Sequence, residues 1–543
     1  MVVCAGTMGT VMADTIAATL VVPLLDTDFT GPHVRQTQLQ WVVSAFAVAL
    51  AAGLTTGGRL ADLLGRRRLL AIGLATFSAA ATMAVLAPTL PILLIARAVQ
   101  GLGAAAMVPA SLALLIGEIA PEHRSRAIGV WSAAGGLSGV LMHTAGGWLG
   151  GAAGWHVLLV PSAAGAAVLL VATAWIPDRG PGQRGKVPDL AGAMLFGIGV
   201  TAILAALANG PVWGWRSPGC AALVGVGCTL LSVTLWRSSR HPNPAIEISL
   251  WRAPLFTLAG AVSGLYGMIS IPLLAIGPRY LNQMWSYSPA MVGLAMAPLS
   301  AGVWIASLIA GRLSKRPTGP RPVIYGGAVT IAGSAVLLIA TAIGSPSPLP
   351  QVWLPAAATL GLGFGAVNTG ASVACALSSP PDAYGAAVGA NMTTRQLGGA
   401  LGMATAALLI DQRASDDGPI AGYITVIGMC IGAAILVGYL SLLMRTVRPS
   451  RSGVRTADGP APTAPHRMQP QLSQDPLMAL YMAVTEFVET ATALAHPTPS
   501  RTSQQSHQSA HEWRGRALRA TADNLIRRPG PAEVVDVLGA NIP

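Results

Sequence analysis

Gly58-Arg59-Leu60-Ala61-Asp62-Leu63-Leu64-Gly65-Arg66-Arg67-Arg68 sets four arginines and one carboxylate in a short turn between two long apolar runs, and that placement decides the fold class. Upstream, residues 41–60 carry a single charge, and downstream, residues 69–86 carry none. Each run is near the roughly 20 residues that a helix needs to cross a bilayer. A cationic hairpin between two such helices reads as a cytoplasmic loop, because short arginine-rich loops are held on that side. Gly58 and Gly65 permit a tight backbone turn, and Asp62 is placed to cap the following turn or to pair with an arginine on a neighbouring helix. The plainer account is that the arginines set topology alone.

The positions Gly58, Leu60, Asp62, Gly65, Arg66 and Arg67 together resemble the loop between the second and third spans of the major facilitator superfamily. The resemblance implies a conformational latch, in which Asp62 and Arg66 make charge contacts that differ between inward-open and outward-open states.

With 543 residues, 52% hydrophobic, 10% charged and a mean hydropathy of +0.58, the chain falls outside the range of soluble globules, whose charged fraction is about 25%. It reads as an integral membrane protein. The net charge of +12 does not point to nucleic acid, because most arginines lie in short loops between apolar runs. Lysine occurs only at Lys186 and Lys315, a usage that fits a GC-rich bacterial genome. Cys4, Cys220, Cys228, Cys375 and Cys430 fall in apolar runs with neither metal spacing nor a disulfide framework, and read as packing residues.

Fourteen apolar runs of membrane-spanning length follow one another, at about 1–25, 41–60, 69–86, 92–116, 127–149, 157–176, 190–208, 221–236, 255–276, 290–313, 323–343, 353–377, 385–410 and 423–443. The first lacks the basic start and small-residue cleavage site of a signal peptide and is expected to be retained. With the Gly58 loop inside, the loops holding Arg124 and Arg126, Arg179, Arg184 and Lys186, Arg237, Arg240 and Arg252, and Lys315, Arg316 and Arg321 fall inside too. The opposite loops hold little beyond Arg35, Arg216, Arg279 and Arg413. An even number of spans puts both termini in the cytoplasm.

An internal repeat is visible: Gly311-Arg312-Leu313-Ser314-Lys315-Arg316 echoes Gly58-Arg59-Leu60-Ala61-Asp62, with Lys315 at the place of the acid. Two pseudo-equivalent halves suit alternating access. Between them lie two further spans, introduced by Val187-Pro188-Asp189-Leu190-Ala191-Gly192 and separated by Asn209-Gly210-Pro211-Val212-Trp213-Gly214-Trp215, whose tryptophans suit the membrane interface. These two stretches, with Pro278-Arg279-Tyr280-Leu281, Tyr287-Ser288-Pro289 and Arg395-Gln396-Leu397-Gly398-Gly399-Ala400-Leu401-Gly402, resemble the fourteen-span drug:proton antiporter branch of the superfamily. The resemblance covers roughly residues 3–445.

A charge at the bilayer centre costs at least about 2.5–3.5 kcal/mol on insertion scales, so each one calls for a reason. Asp14 lies within the first run, at a position where the family carries an acid, and is the candidate for binding the coupling proton or contacting substrate. A helix-packing acid satisfied by a neighbour is the competing account. Arg97 lies in Leu94-Ile95-Ala96-Arg97-Ala98-Val99-Gln100-Gly101, which resembles the fourth-span signature that the family associates with proton transfer. A guanidinium carries no transferable proton, but it can tune a nearby carboxylate or hold Gln100 in place. Arg395 is placed to face the same cavity from the other half.

In the fifth run the antiporter signature expects Gly-Pro followed shortly by Gly-Gly, whereas Gly135-Gly136-Leu137-Ser138-Gly139-Val140-Leu141-Met142-His143-Thr144-Ala145-Gly146-Gly147 has Met142 and His143 there. Gly135, Gly139, Gly146 and Gly147 still allow close helix packing. The missing proline removes a kink, and His143 is a group able to assist coupling near neutral pH or a hydrogen-bonded packing residue.

No phosphate-binding loop, metal-spaced cluster or paired carboxylates within one span occur, so the chain reads as no enzyme and as needing no cofactor beyond a proton gradient. Gly361-Leu362-Gly363-Phe364-Gly365 lies in a membrane run, where small residues mean helix contact. Beyond residue 447 the character changes: 448–474 is rich in Pro, Ser and Arg and reads as a disordered linker, 475–495 has amphipathic helical spacing, and 513–528 is basic enough to lie near anionic lipid.

The expected fold is an all-α major facilitator protein: a six-helix bundle over residues 1–176, two linking spans over 177–238, a second six-helix bundle over 239–446 and a cytoplasmic tail over 447–543. The expected function is export of small amphipathic or cationic compounds, drugs and antibiotics among them, in exchange for protons, by a monomer in the bacterial plasma membrane surrounded by lipid and without a nucleic-acid partner. Export or flipping of a lipid or siderophore-like metabolite, and a transport-inactive sensor or scaffold, are the alternatives.

Overall fold

A computed structural model describes residues 1–28, 36–177, 189–315, 319–343, 352–416 and 419–444, all within one compact unit spanning residues 1–450. The expectations for 447–543, and for Arg35, Arg179, Arg184, Lys186 and Arg316, lie outside the described residues, as does the side chain of Arg413. Fourteen α-helices account for nearly all of the rest: α1 (Val2–Asp28), α2 (Gln36–Leu64), α3 (Arg66–Val85), α4 (Leu90–Glu118), α5 (Arg124–Ala153), α6 (His156–Ala172), α7 (Leu190–Trp213), α8 (Pro218–Ser238), α9 (Pro254–Trp285), α10 (Pro289–Leu313), α11 (Arg321–Ile343), α12 (Leu354–Leu377), α13 (Tyr384–Asp416) and α14 (Pro419–Leu443). Only helices let a spanning chain satisfy its backbone within each segment, and Pro109, Pro161 and Pro272 lie inside α4, α6 and α9, where packed neighbouring helices make a freed carbonyl tolerable.

Twelve of these helices are long and apolar enough to cross a membrane by composition. The two that fall short are α5, which carries eight glycines, and α13, which carries Asn391, Thr393, Thr394, Arg395 and Gln396 in succession or nearly so. Both pack along the seam between the two six-helix groups, α5 against α10 and α13 against α2. A helix enclosed by protein need not be apolar all round.

The repeat read from Gly58 and Gly311 is a packing repeat. Gly58 of α2 abuts Gly385 and Gly389 of α13, while Gly311 of α10 abuts Gly129 and the Ser125 carbonyl of α5. A 3-10 turn precedes each partner, Pro121–His123 before α5 and Pro381–Ala383 before α13. The helices of α9 to α14 share one hydrophobic core, and α7 lies against both α2 and α13 as well as its neighbour α8.

Asp189 holds the start of α7. Its Oδ1 accepts from the Gly192 N–H at 2.9 Å and its carboxylate accepts from Arg237 Nε at 2.8 and 3.0 Å. Burial pushes this carboxyl up, but the Gly192 N–H and the Arg237 guanidinium together outweigh it and hold the group below the usual carboxylate range. A depressed folded value means stability that is present above the unfolded carboxylate value and is lost as pH falls through the folded one. The protection of the Gly192 and Ala193 amides, taken relative to intrinsic exchange at the same pH, is therefore expected to fall only on strong acidification in the native chain, and to be about fivefold lower and without that acid-linked fall in Asp189→Ala, which loses about 1 kcal/mol of cap.

Candidate functional site

Asp14, Arg97 and Gln100 come together in a fully enclosed network among α1, α4 and α6. Arg97 Nη1 donates to Asp14 Oδ2 at 2.7 Å and to Gln100 Oε1 at 2.6 Å. Gln100 Nε2 donates to Asp14 Oδ1 at 2.8 Å, and Ser162 Oγ donates to the same oxygen at 3.0 Å. Arg97 Nε reaches the Val42 carbonyl of α2 at 3.0 Å, and its guanidinium lies 4.6 Å from the Phe46 ring centroid. Arg97 and Gln100 are three apart on α4 and so share a face. Asp14 and Arg97 are 0% exposed, and in low dielectric a charge survives only when paired and hydrogen-bonded. Arg97 Nη2 is left without a partner. The sequence missed Ser162 and the Val42 carbonyl, since neither a serine in an apolar helix nor a backbone oxygen carries a periodic signal.

The other candidates lie elsewhere. His143 sits at the α5–α10 seam, where its Nδ1 is 3.0 Å from Ser300 Oγ and its carbonyl abuts Gly293. α5 runs unbroken through Met142 and His143, as the absent proline predicts. Gly139 and Gly147 face α10 at Ser300 and Ala290, whereas Gly135 and Gly146 face α1 at Met12 and Leu20. Arg395 is in the opposite six-helix group, on α13, with its guanidinium 5.3 Å from the Tyr266 ring centroid of α9. The structure thus joins three of the five proton or substrate candidates and separates His143 and Arg395 from them.

At the Gly58 end the two groups are clamped together. Asp62 accepts from the N–H groups of Gly385 and Ala386 at 3.1 and 2.9 Å and from Arg66 Nη2 at 3.0 Å. It therefore caps α13 across the seam rather than the turn that follows it, a role suited to a carboxylate at a helix N-terminus. Gly65 takes the start of α3 instead, at φ 105, which only glycine adopts freely. Arg66 extends the clamp through Nη2 to the Pro381 carbonyl at 2.6 Å. Arg67 turns the other way and donates to the Thr173 and Ala174 carbonyls at 3.0 and 3.2 Å, within its own group.

Two further pairings at this end went unread. Arg124 donates to the Tyr384 hydroxyl at 2.6 Å, and the Tyr384 ring lies between Arg66 and Arg124, 5.5 and 5.2 Å from their guanidinium carbons. Arg59 pairs with Glu247 at 3.4 Å, joining α2 to the segment that follows α8. The repeat offered a signal for the first pair: Arg124 and Tyr384 are the first residues of α5 and α13, each after its proline-led turn. An apolar cavity of about 50 Å³ lies apart from both polar clusters, among α9, α10, α11, α12 and α14, with Tyr280, Trp353 and Tyr423 in its wall.

A family model described as Major Facilitator Superfamily matches residues 3–269 and 256–500. The puromycin resistance protein of Streptomyces alboniger is 32% identical over 452 residues, 79% of this chain and 88% of that protein. The multidrug resistance protein Stp of Mycobacterium tuberculosis is 30% identical over 371 residues, 67% of each chain. Among solved structures, the human organic anion transporter MFSD10 superposes with a TM-score of 0.58 over 81% of this chain and 98% of its own, at 17% identity, which shows a shared fold.

Proposed function

Since the chain belongs to the major facilitator superfamily, and is thus a multi-pass membrane transporter of small molecules rather than an enzyme, we propose that it exports amphipathic organic compounds, antibiotics among them, from a bacterial cell in exchange for protons. The Gly58 end is the cytoplasmic one, because the arginine-rich loops gather there, and the protein works as a lipid-embedded monomer. The observation that carries the reading is the Asp14 network. A carboxylate that is 0% exposed inside a spanning helix is costly to place there even when paired, and this one ties three helices to a single proton-accepting group. Resistance to puromycin and to several drugs, named for two relatives, supplies the direction and the compound class.

In this reading a proton reaching Asp14 removes the charge that Arg97 answers, and the network must re-form. The clamp at the Gly58 end opens in turn: Asp62 releases the α13 N-terminus, Arg66 releases Pro381 and Arg124 releases Tyr384. The seams α2–α13 and α5–α10 are then the surfaces on which one group rocks against the other. Inside-out vesicles containing the full chain are expected to accumulate labelled puromycin when their interior is acidified, and to lose it when the pH gradient is collapsed with nigericin. Accumulation that survives collapse of the gradient overturns proton exchange.

A further inference from the structure

Each six-helix group carries an arginine inside a span, Arg97 on α4 and Arg395 on α13, but they treat it differently. Arg97 has Asp14, Gln100 and a backbone carbonyl. Arg395 has none of these: its Nε and Nη2 are out of contact with solvent and without any hydrogen-bond partner, and only the Tyr266 ring stands over the guanidinium. The sequence offers it no acid. From Pro254 to Leu443 the only carboxylates are Asp382, Asp411, Asp416 and Asp417. Asp382 is exposed in the turn before α13, and Asp411 lies sixteen positions further along α13, roughly 24 Å away at 1.5 Å per residue.

A guanidinium stays protonated under all ordinary conditions, and leaving a buried one unpaired costs several kcal/mol. A cation–π contact to one ring neither donates nor accepts a hydrogen bond and supplies no counter-charge, so a charge is missing from this site. A nearby group is also unfilled. The Tyr266 ring meets Phe364 of α12 edge-on at 5.7 Å, and one turn beyond Phe364, on the same face, Asn368 leaves its buried Oδ1 unpaired. The residue is only partly covered, and of its three guanidinium nitrogens Nη1 alone is not enclosed without a partner, which leaves that nitrogen as the side a ligand can approach. By sequence alone, amphipathic and cationic compounds are both candidate cargo. Among the described residues a cation finds no free carboxylate in the interior of the spans, since Asp14 is already taken by three donors.

The geometry points to Arg395 as the receptor for an anionic group on the transported molecule, so that the favoured cargo is an amphipathic carboxylate, its acid on Arg395 and its apolar body against Tyr266. A planar carboxylate matches the flat donor array of a guanidinium, meeting it first at Nη1 and answering the charge that Nε and Nη2 leave without a partner. The inference builds on the export reading for its biological meaning, but its test is equilibrium binding and does not depend on transport.

The full chain in lipid nanodiscs is titrated with a fluorescent coumarin carboxylate and, separately, with its uncharged carboxamide, followed by anisotropy. The native protein is expected to bind the carboxylate at least tenfold more tightly than the amide. Arg395→Gln should erase that preference while Arg395→Lys keeps most of it, and the amide should bind all three alike. Independently of any variant, and so of whether each one folds, benzoate should displace the bound carboxylate while benzyl alcohol does not. Equal binding of acid and amide by the native chain, or an undiminished preference in a folded Arg395→Gln, overturns the receptor. Puromycin export without carboxylate preference removes the receptor and leaves export standing; carboxylate preference in a chain that exports nothing removes export and leaves the receptor.

Discussion

Asp14→Leu is expected to destabilise the protein by about 3–5 kcal/mol, whereas the double variant Asp14→Leu/Arg97→Met recovers most of that loss. The single change strands Arg97, whose side chain is 1% exposed and keeps its charge. Gln100 and the Val42 carbonyl remain as partners, but both are neutral. Removing the guanidinium as well leaves no stranded charge, only the neutral Gln100 amide and Ser162 hydroxyl without these partners, and a buried ion pair replaced whole costs far less than the loss of one partner. The two sites touch, so the effects must be strongly non-additive. Thermal unfolding of the four proteins of the cycle in one detergent measures it, and a double variant no more stable than the worse single one contradicts the account. Recovered stability is not expected to bring recovered uphill transport.

Gly58→Val is expected to leave each six-helix group folded and to cut transport by more than tenfold. A Cβ at Gly58 would overlap the Gly385 carbonyl and crowd Gly389, and Gly389 in turn abuts the Leu54 carbonyl. Overpacking costs roughly 1–3 kcal/mol, and here the strain falls wholly on the state in which α2 and α13 touch. That is a bias of about 5- to 150-fold against the clamped arrangement, added to the loss of the Asp62 cap on α13 if the helices part. Gly311→Val should act alike at the second seam, where Gly311 meets Gly129. Transport rate and thermal stability measured side by side separate the outcomes: a variant that transports normally, or one that simply unfolds, contradicts a seam that has to open and close.

The fold was legible because a bilayer imposes its own rules on composition. Long uncharged runs and the arginines of residues 59–68 cannot be placed otherwise, and α5 and α13, whose composition falls below that of a lipid-facing helix, are legible from the length of their runs. Asp14, Arg97 and Gln100 stood out for a similar reason, as expensive residues where none is expected. Their partners did not. Which neighbour a side chain meets depends on the rotation of each helix about its axis, and Ser162 and Val42 give no sign of it. The same limit hid the direction of Asp62, which caps α13 more than 320 positions away in the chain. It also hid the contrast between the paired Arg97 and the unpaired Arg395, which in sequence are two similar arginines in two similar runs.

If Asp14 is the group that couples proton entry to export, uphill movement and exchange must come apart when it loses its charge. Asn keeps an oxygen for Gln100 and Ser162 while removing the titration, so Asp14→Asn is the variant to compare with the native chain in the same proteoliposomes. Gradient-driven accumulation of puromycin is expected to fall by more than tenfold, with puromycin-for-puromycin exchange in the absence of a gradient retained. Accumulation that persists in Asp14→Asn at the native level would contradict the assignment of coupling to this carboxylate.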